Sequence, residues 1–218
     1  MCGRFTLYSS LRELKKAFAL DTVIGEMKPA YNIAPGEEIF AIIRRDGNRM
    51  GKLHWGLIPS WVKELPGASR LINARIETLA EKPSFQRAFQ RRRCVIPADG
   101  FYEWKGKQPW YCVPVSGKLF GFAGLWETWK GKNGTLYHSC AIITAEADEV
   151  LREIHDRMPV ILKPEAIREW LNPEITGFDR LDMILKNGRI SRVKTYPVSK
   201  LVDAPRNNDS RCIKPLSK

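Results

Sequence analysis

The spacing of apolar positions changes character several times along the chain, and each change predicts an element. Leu11, Leu14, Ala17 and Phe18 recur at helical spacing behind Ser9-Ser10, residue types that accept a hydrogen bond at a helix start. A loop of turn formers follows, Lys28-Pro-Ala-Tyr-Asn-Ile-Ala-Pro-Gly36. Two strand-like runs, Glu38–Arg44 and Lys52–Ile58, flank Arg45-Asp-Gly-Asn48, which reads as a hairpin turn. A proline opens a short helix over Pro83–Arg92. Between Cys94 and Thr144 the pattern is mainly strand, with runs at Cys94–Pro97, Trp110–Val115, Leu119–Trp126 and Leu136–Thr144 separated by turns such as Gly131-Lys-Asn-Gly134. Helical spacing returns at Ala147–Ile154, Pro164–Leu171 and Phe178–Leu185, and a last strand is expected over Ile190–Val198. No internal repeat, low-complexity segment or clear linker interrupts this order. The sum predicts an α+β fold: a single domain over residues 1–202, a twisted antiparallel sheet or barrel-like core with peripheral helices. Residues 203–218 form a basic tail expected to be flexible.

Composition narrows the class of partner. At 218 residues and 44% hydrophobic content the chain can bury a full core. Its 36 Lys+Arg against 24 Asp+Glu leave a formal net charge of +12. That excess favours a polyanion, most simply nucleic acid, although solubility alone can also account for it. The cysteines Cys2, Cys94, Cys112, Cys140 and Cys212 are widely spaced, no CxxC pair occurs, and the histidines lie far apart, so a metal site has little support. The opening segment has no apolar stretch of the signal-peptide kind, and no run is long enough to span a bilayer. The expectation is a cytoplasmic monomer, in a reducing setting, without cofactor, metal or membrane.

Candidate chemistry begins at the second residue. Cys2 stands directly behind the initiator methionine, and a small side chain there permits removal of Met1. The chain would then begin with a free α-amine and a thiol on adjacent carbons, titrating when unperturbed near ~8 and ~8.5. Such a pair captures aldehydes. The amine condenses to an imine, and the sulfur then closes a five-membered thiazolidine ring. A cysteine whose nitrogen sits in an amide cannot do this; the plainer alternative is that Cys2 is an early apolar residue.

Further along, Asn73, Arg75 and Glu77 alternate with apolar Ile72, Ala74 and Ile76, which puts an amide, a guanidinium and a carboxylate on one face of a strand. That face is either solvated or a polar ligand site. Glu103 lies among aromatics in Asp99-Gly-Phe-Tyr-Glu103-Trp104, where partial burial would raise its pKa and make it a usable acid or base. His155 ends a helix before Asp156-Arg157-Met158-Pro159, suiting either the helix dipole or proton transfer. His54 and His138 lie in strand runs and read as packing residues. The segment His54–Trp61 exposes tryptophans around a loop. With Arg4, Arg75 and Arg157, such rings could stack bases and hold phosphates, though most tryptophans belong in cores. The basic run Gln90-Arg-Arg-Arg93 fits a solvated helix end or a phosphate contact.

Met1-Cys-Gly-Arg-Phe5, Tyr31-Asn-Ile-Ala-Pro-Gly36, Trp55-Gly-Leu-Ile-Pro-Ser-Trp61, Asn73-Ala-Arg75, and Ala98-Asp-Gly-Phe-Tyr-Glu-Trp104 with His155-Asp-Arg-Met-Pro159 together resemble the SRAP family, the SOS response-associated peptidases or abasic-site processing proteins. Each motif is weak alone; their order and spacing are specific, and the likeness continues in Tyr196-Pro-Val-Ser199. The resemblance implies an N-terminus in a basic groove for single-stranded DNA and covalent capture of abasic sites, whose ring-opened sugar is an aldehyde. Carried onto this chain it implies Cys2 as amine and thiolate, Glu103 as acid and base, His155 in sugar-ring opening, and Asn73 in orienting the reacting groups. It further implies Arg4, Asn32, Arg75 and Arg157 at the DNA, with Pro35, Trp55 and Trp104 shaping the groove and stacking bases. Weak lyase activity follows from an imine intermediate. Two other readings stay open: a cysteine peptidase using Cys2 and His155, for which self-cleavage would release Met1, and a non-catalytic single-strand binder.

Overall fold

The capping box that opens the first helix is formed as its residues suggest: the Ser10 hydroxyl accepts from Glu13 N–H, and the Glu13 carboxylate accepts from Ser10 N–H. The computed structural model describes residues 2–64, 71–115, 117, 119–190 and 192–216. In chain order, β1 (Phe5–Leu7) leads to α1 (Leu11–Phe18), β2 (Leu20–Val23), β3 (Ala30–Ile33) and the hairpin of β4 (Glu38–Arg45) with β5 (Gly47–Trp55). Then come β6 (Asn73–Arg75), α2 (Pro83–Arg91), β7 (Arg93–Ala98), β8 (Gly100–Lys105), β9 (Gln108–Pro114), β10 (Phe120–Lys130) and β11 (Leu136–Glu146). The chain finishes with α3 (Glu149–Arg152), β12 (Arg157–Pro159), β13 (Ile161–Leu162), α4 (Pro164–Trp170), α5 (Phe178–Asn187) and β14 (Val193–Pro197).

The larger sheet closes on itself. β11 pairs with β10, β10 with β7, β7 with β4, β4 with β5, and β5 returns to β11 through Ser139↔His54 and Cys140↔Trp55. Closure removes the free edges of this ring and encloses its apolar interior. The smaller sheet runs in the order β14-β9-β8-β1-β3. The α+β, barrel-like expectation is met, with one change of detail. The β2–β5, β5–β11 and β6–β11 pairs are parallel, so the larger sheet is mixed rather than wholly antiparallel.

Several local expectations shift. The β4–β5 turn is tighter than expected, because Arg45 pairs with Gly47, whose φ of 100° is open to glycine. β1, β2 and β3 were not anticipated; three or four residues are too few for periodicity to register, and their stability comes from neighbours. The helix expected over Ala147–Ile154 is a single turn capped by Asp148. The alternation at Asn73–Glu77 stops with β6, and Ile76–Thr78 turn as a 3-10 helix.

The basic run at the end of α2 is only partly solvent-facing. Arg93 is buried and donates to the carbonyls of Phe89, Gln90, Trp170 and Asn172, satisfying the last turn of α2 and tying it to the end of α4. Arg92 pairs with Glu127, leaving Arg91 exposed.

Residues 203–216 of the segment expected to be flexible are packed, and residues 217 and 218 lie outside the described residues. Asn32 Nδ2 donates to the carbonyls of Val202, Ala204 and Asn207, and Cys212 is buried in a satellite cluster with Tyr102, Tyr111, Val198 and Val202. Val198 also bridges Pro215. The side chains that dock this segment lie far away in sequence, so its polar composition gave no sign of them. Among the described residues, no helix is long and apolar enough to cross a membrane.

Candidate active site

Strand pairing carries the start of the chain into the molecule. β1 lies between β3 and β8, with Phe5 opposite both Ile33 and Phe101. Tyr102 N–H donates to the Arg4 carbonyl at 2.9 Å and Asp99 N–H to that of Thr6 at 2.8 Å, so β8 runs alongside the first residues. Asp99 fixes the far end of β1. Its carboxylate accepts from the backbones of Tyr8 and Ser9 at 2.6 and 2.8 Å and from the Ser9 hydroxyl. Phe5 packs edge-on against Trp55 at 5.2 Å and Phe122 at 5.8 Å. Asp99 is therefore a fixture of the strand, and the chemistry of the Asp99–Trp104 segment falls to Glu103.

Cys2 is fully buried, and Asn73 Nδ2 donates to its carbonyl at 2.9 Å. β6 brings Asn73 there because it lies parallel against β11, Asn73 facing Ile142. The Asn73 Oδ1 atom is buried with no hydrogen-bond partner among the described residues. Glu103 is 2% exposed, and burial raises its carboxyl to about 7. Burial, with the Glu103 carboxylate second, pushes the Cys2 thiol far above the ordinary thiol range. Cys112 is raised in the same way, by burial first, then by Glu103 and Cys2. The unperturbed values would leave the thiol partly ionised near neutrality, and burial in the fold works against that thiolate.

His155 follows α3. Its Nδ1 accepts from Arg157 N–H at 3.0 Å and lies 2.9 Å from the Asp156 carboxylate, and burial lowers the imidazole pKa. Arg157 is 8% exposed; its guanidinium meets both Glu77 oxygens, at 2.8 and 3.0 Å, and the Thr144 carbonyl at 2.8 Å.

The residues expected at the DNA divide by exposure. Arg75 and Pro35 are exposed. Arg4 is half-buried, donates to Asn32 Oδ1 and the Val202 carbonyl at 2.7 Å each, and lies 5.9 Å from the centre of the Trp104 ring, which itself donates to Asp203. Asn32, Trp55 and Arg157 are buried: Asn32 anchors the C-terminal segment, and Trp55 donates to the Ile72 carbonyl beneath the site. A ring with no exposed face cannot stack a base, so Trp55 is a core residue here. The exposed ring is Trp61, 65% accessible, which belonged to the matched motif but not to the expected groove residues. Its setting among Gly, Pro and Ser was the signal, since a loop of that kind cannot bury every large ring. Among the described residues all five cysteines are free, and no group of three or more potential ligands could hold a metal.

Comparison with known proteins identifies the family and the fold. The family model for SOS response associated peptidase (SRAP) matches residues 1–205. The abasic site processing protein YoqW of Bacillus subtilis is 46% identical over 222 residues, covering 98% of this chain and 99% of its own. YedK of Escherichia coli, named likewise, is 33% identical over 229 residues, covering 99% of this chain and all of its own. In structure, a phage-related protein from Bordetella bronchiseptica superposes with a TM-score of 0.71 at 30% identity, over 90% of this chain and 94% of that one. A Bacteroides thetaiotaomicron protein at 22% identity shares the fold with a TM-score of 0.86, over 99% and 100% of the two chains. With its family model spanning nearly the whole chain and relatives alike from end to end, the chain belongs to the SRAP family.

Proposed function

We propose that this chain processes abasic sites in single-stranded DNA by capturing them covalently through Cys2, once Met1 has been removed, and so shields the lesion from strand scission. The observation that carries this reading is the meeting of groups from separate parts of the chain: Cys2 ahead of β1, the amide of Asn73 on its carbonyl, and the buried Glu103 carboxyl, raised to about 7 and near enough to act on the Cys2 thiol. The Cys2 amine attacks the aldehyde carbon of the ring-opened sugar to give a carbinolamine. Protonated Glu103 gives its proton to the departing hydroxyl; water leaves and a protonated imine remains. The Cys2 sulfur then adds to the imine carbon, and its thiol proton returns to the Glu103 carboxylate, so that Glu103 ends as it began. Aminothiol and aldehyde thus give thiazolidine and one water.

Asn73 holds the Cys2 backbone so that the amine meets the carbon at a fixed angle, and its open Oδ1 acceptor suits the amine or a sugar hydroxyl. Exposed Arg75 and Trp61 suit a phosphate and a base on the flanking strand. The imine also permits slow β-elimination, a weak lyase side reaction. A cysteine peptidase would need a thiolate stabilised by an imidazolium, whereas burial drives this thiol the other way.

The test is intact mass and denaturing gels of the purified protein with an abasic oligonucleotide. Wild type should lack Met1 and form an adduct lighter than the sum of its parts by one water. Cys2→Ala and Cys2→Ser should form no stable adduct, the serine leaving at most a borohydride-trappable imine. A stable adduct in either variant would rule out the thiazolidine.

A further inference from the structure

Arg157 comes from a motif expected at the DNA, yet both ends of its guanidinium are occupied inside the protein. Glu77 takes it with two oxygens at 2.8 and 3.0 Å, the fork-on-fork geometry in which arginine and carboxylate bind most firmly, and the Thr144 carbonyl takes a third bond at 2.8 Å. Only 8% of Arg157 is exposed. Its backbone has a second task, because the Arg157 N–H donates to His155 Nδ1 at 3.0 Å. The turn that carries His155 is tied on its α3 side by backbone bonds, from His155 N–H to the Leu151 carbonyl and from Ala147 N–H to that of Asp156, at 2.8 and 3.0 Å. On its β12 side it is tied by the β11–β12 ladder, with Arg157 opposite Glu146, and by the Arg157 side chain. We infer that Glu77 is a positioning residue for His155: by clamping Arg157 it holds the Arg157 amide against Nδ1 and so fixes the imidazole tautomer with its proton on Nε2.

The physical reason lies in what each neighbour of Nδ1 can do. The Arg157 amide is a donor that cannot turn into an acceptor, and the clamp keeps it in place. The Asp156 carboxylate, at 2.9 Å, would favour the opposite tautomer, but its side chain is 84% exposed and free to turn to water. While the clamp holds, Nδ1 accepts and Nε2 carries the transferable proton, as an acid for opening the sugar ring requires. Without it the amide keeps only its backbone ties and Asp156 competes for Nδ1–H, mixing the two tautomers. Glu77 thus acts through Arg157 and need not touch the substrate.

This inference rests on abasic-site capture, and the experiment separates the two. In Glu77→Gln, one of the two paired acceptors becomes a donor facing the guanidinium, while charge and size change little elsewhere. Initial crosslinking rates on an abasic oligonucleotide should fall about ten- to hundred-fold, the usual cost of misplacing a catalytic group. Rates on a small open-chain aldehyde, which has no ring to open, should stay within about twofold. Glu77→Asp, keeping the charge on a shorter arm, should recover part of the loss. Nitrogen-15 shifts of the His155 ring, read without substrate, should report Nε2–H in wild type and a mixture in Glu77→Gln. Equal losses on both substrates, an unchanged abasic rate in a folded variant, or Nδ1–H in wild type would each overturn the assignment. If Glu77→Gln does not fold, the wild-type ring shifts and the Glu77→Asp rates decide. If wild type captures no abasic DNA at all, the proposed function fails while the tautomer measurement still stands.

Discussion

A single carboxyl, Glu103, links stability and reactivity. Its folded pKa of about 7 is raised by burial, whereas an unfolded glutamate ionises near ~4.3. Between those values the folded chain keeps a proton that the unfolded chain has released. Stability should therefore fall as pH rises through that window, by on the order of 3 kcal/mol in all, and be full below it. Glu103→Gln removes the titration, so denaturant unfolding should find the variant close to wild type at pH 5 and more stable at pH 8. A variant less stable than wild type at pH 8 would contradict the assignment. In the proposed capture the same proton governs rate. Imine formation needs protonated Glu103 and an unprotonated amine, so wild-type capture should follow a bell-shaped pH profile, and Glu103→Gln should be slow and lack the carboxyl limb. At this scale the sequence identified the residue and its chemical type. It could not supply the degree of burial, because Trp110 and the Cys2 region reach Glu103 from other parts of the chain.

At the scale of elements, the C-terminal segment shows how docking can outweigh composition. Residues 204–216 are rich in polar and charged side chains, yet Asn32, Tyr31 and Tyr102 supply partners that hold them. Removing residues 204–218 would strip Asn32 of two carbonyl acceptors and uncover the Tyr102–Tyr111 cluster. Unpaired buried groups cost about 1–3 kcal/mol each. The truncated chain should melt at least about 5 °C lower, by differential scanning calorimetry. An unchanged midpoint would mean that the segment adds nothing to the fold. The loss should spread to Arg4, which donates to Asn32 and to Val202 just before the segment. Elements with strong local signals were legible from sequence: α1 with its N-cap serine, α2 and α4 opened by proline, and the long strands β10 and β11. β1 and β3 were not, since three or four residues become strands only when a neighbour supplies hydrogen bonds.

The whole molecule carries a formal charge of +12, and binding to intact single-stranded DNA should be strongly salt-dependent. If about four phosphates are engaged, affinity should drop roughly fifty-fold between 50 and 200 mM salt, as fluorescence anisotropy would measure. Arg75→Ala should weaken binding and flatten the slope, because that guanidinium is exposed. Arg157→Ala should leave the slope nearly unchanged while slowing capture, because Arg157 is spent on Glu77. A salt-independent dissociation constant would argue against a phosphate-lined groove.

The chain's own order of residues determined which chemistry is available: a thiol at Cys2 directly behind Met1, a carboxyl among aromatics at Glu103, an imidazole at His155 and an excess of positive charge. Those are properties of residue types, and they survive without a fold. Only the tertiary structure decided which groups face one another. Barrel closure through β5 and β11, with β6 alongside β11, brings Asn73 onto the Cys2 carbonyl across 71 positions of sequence. The same packing sinks Trp55 beneath the site, leaves Trp61 outside it, and turns Arg157 inward to Glu77. A side chain's exposure, its partner and its proton affinity depend on atoms from distant segments, and no local pattern contains them.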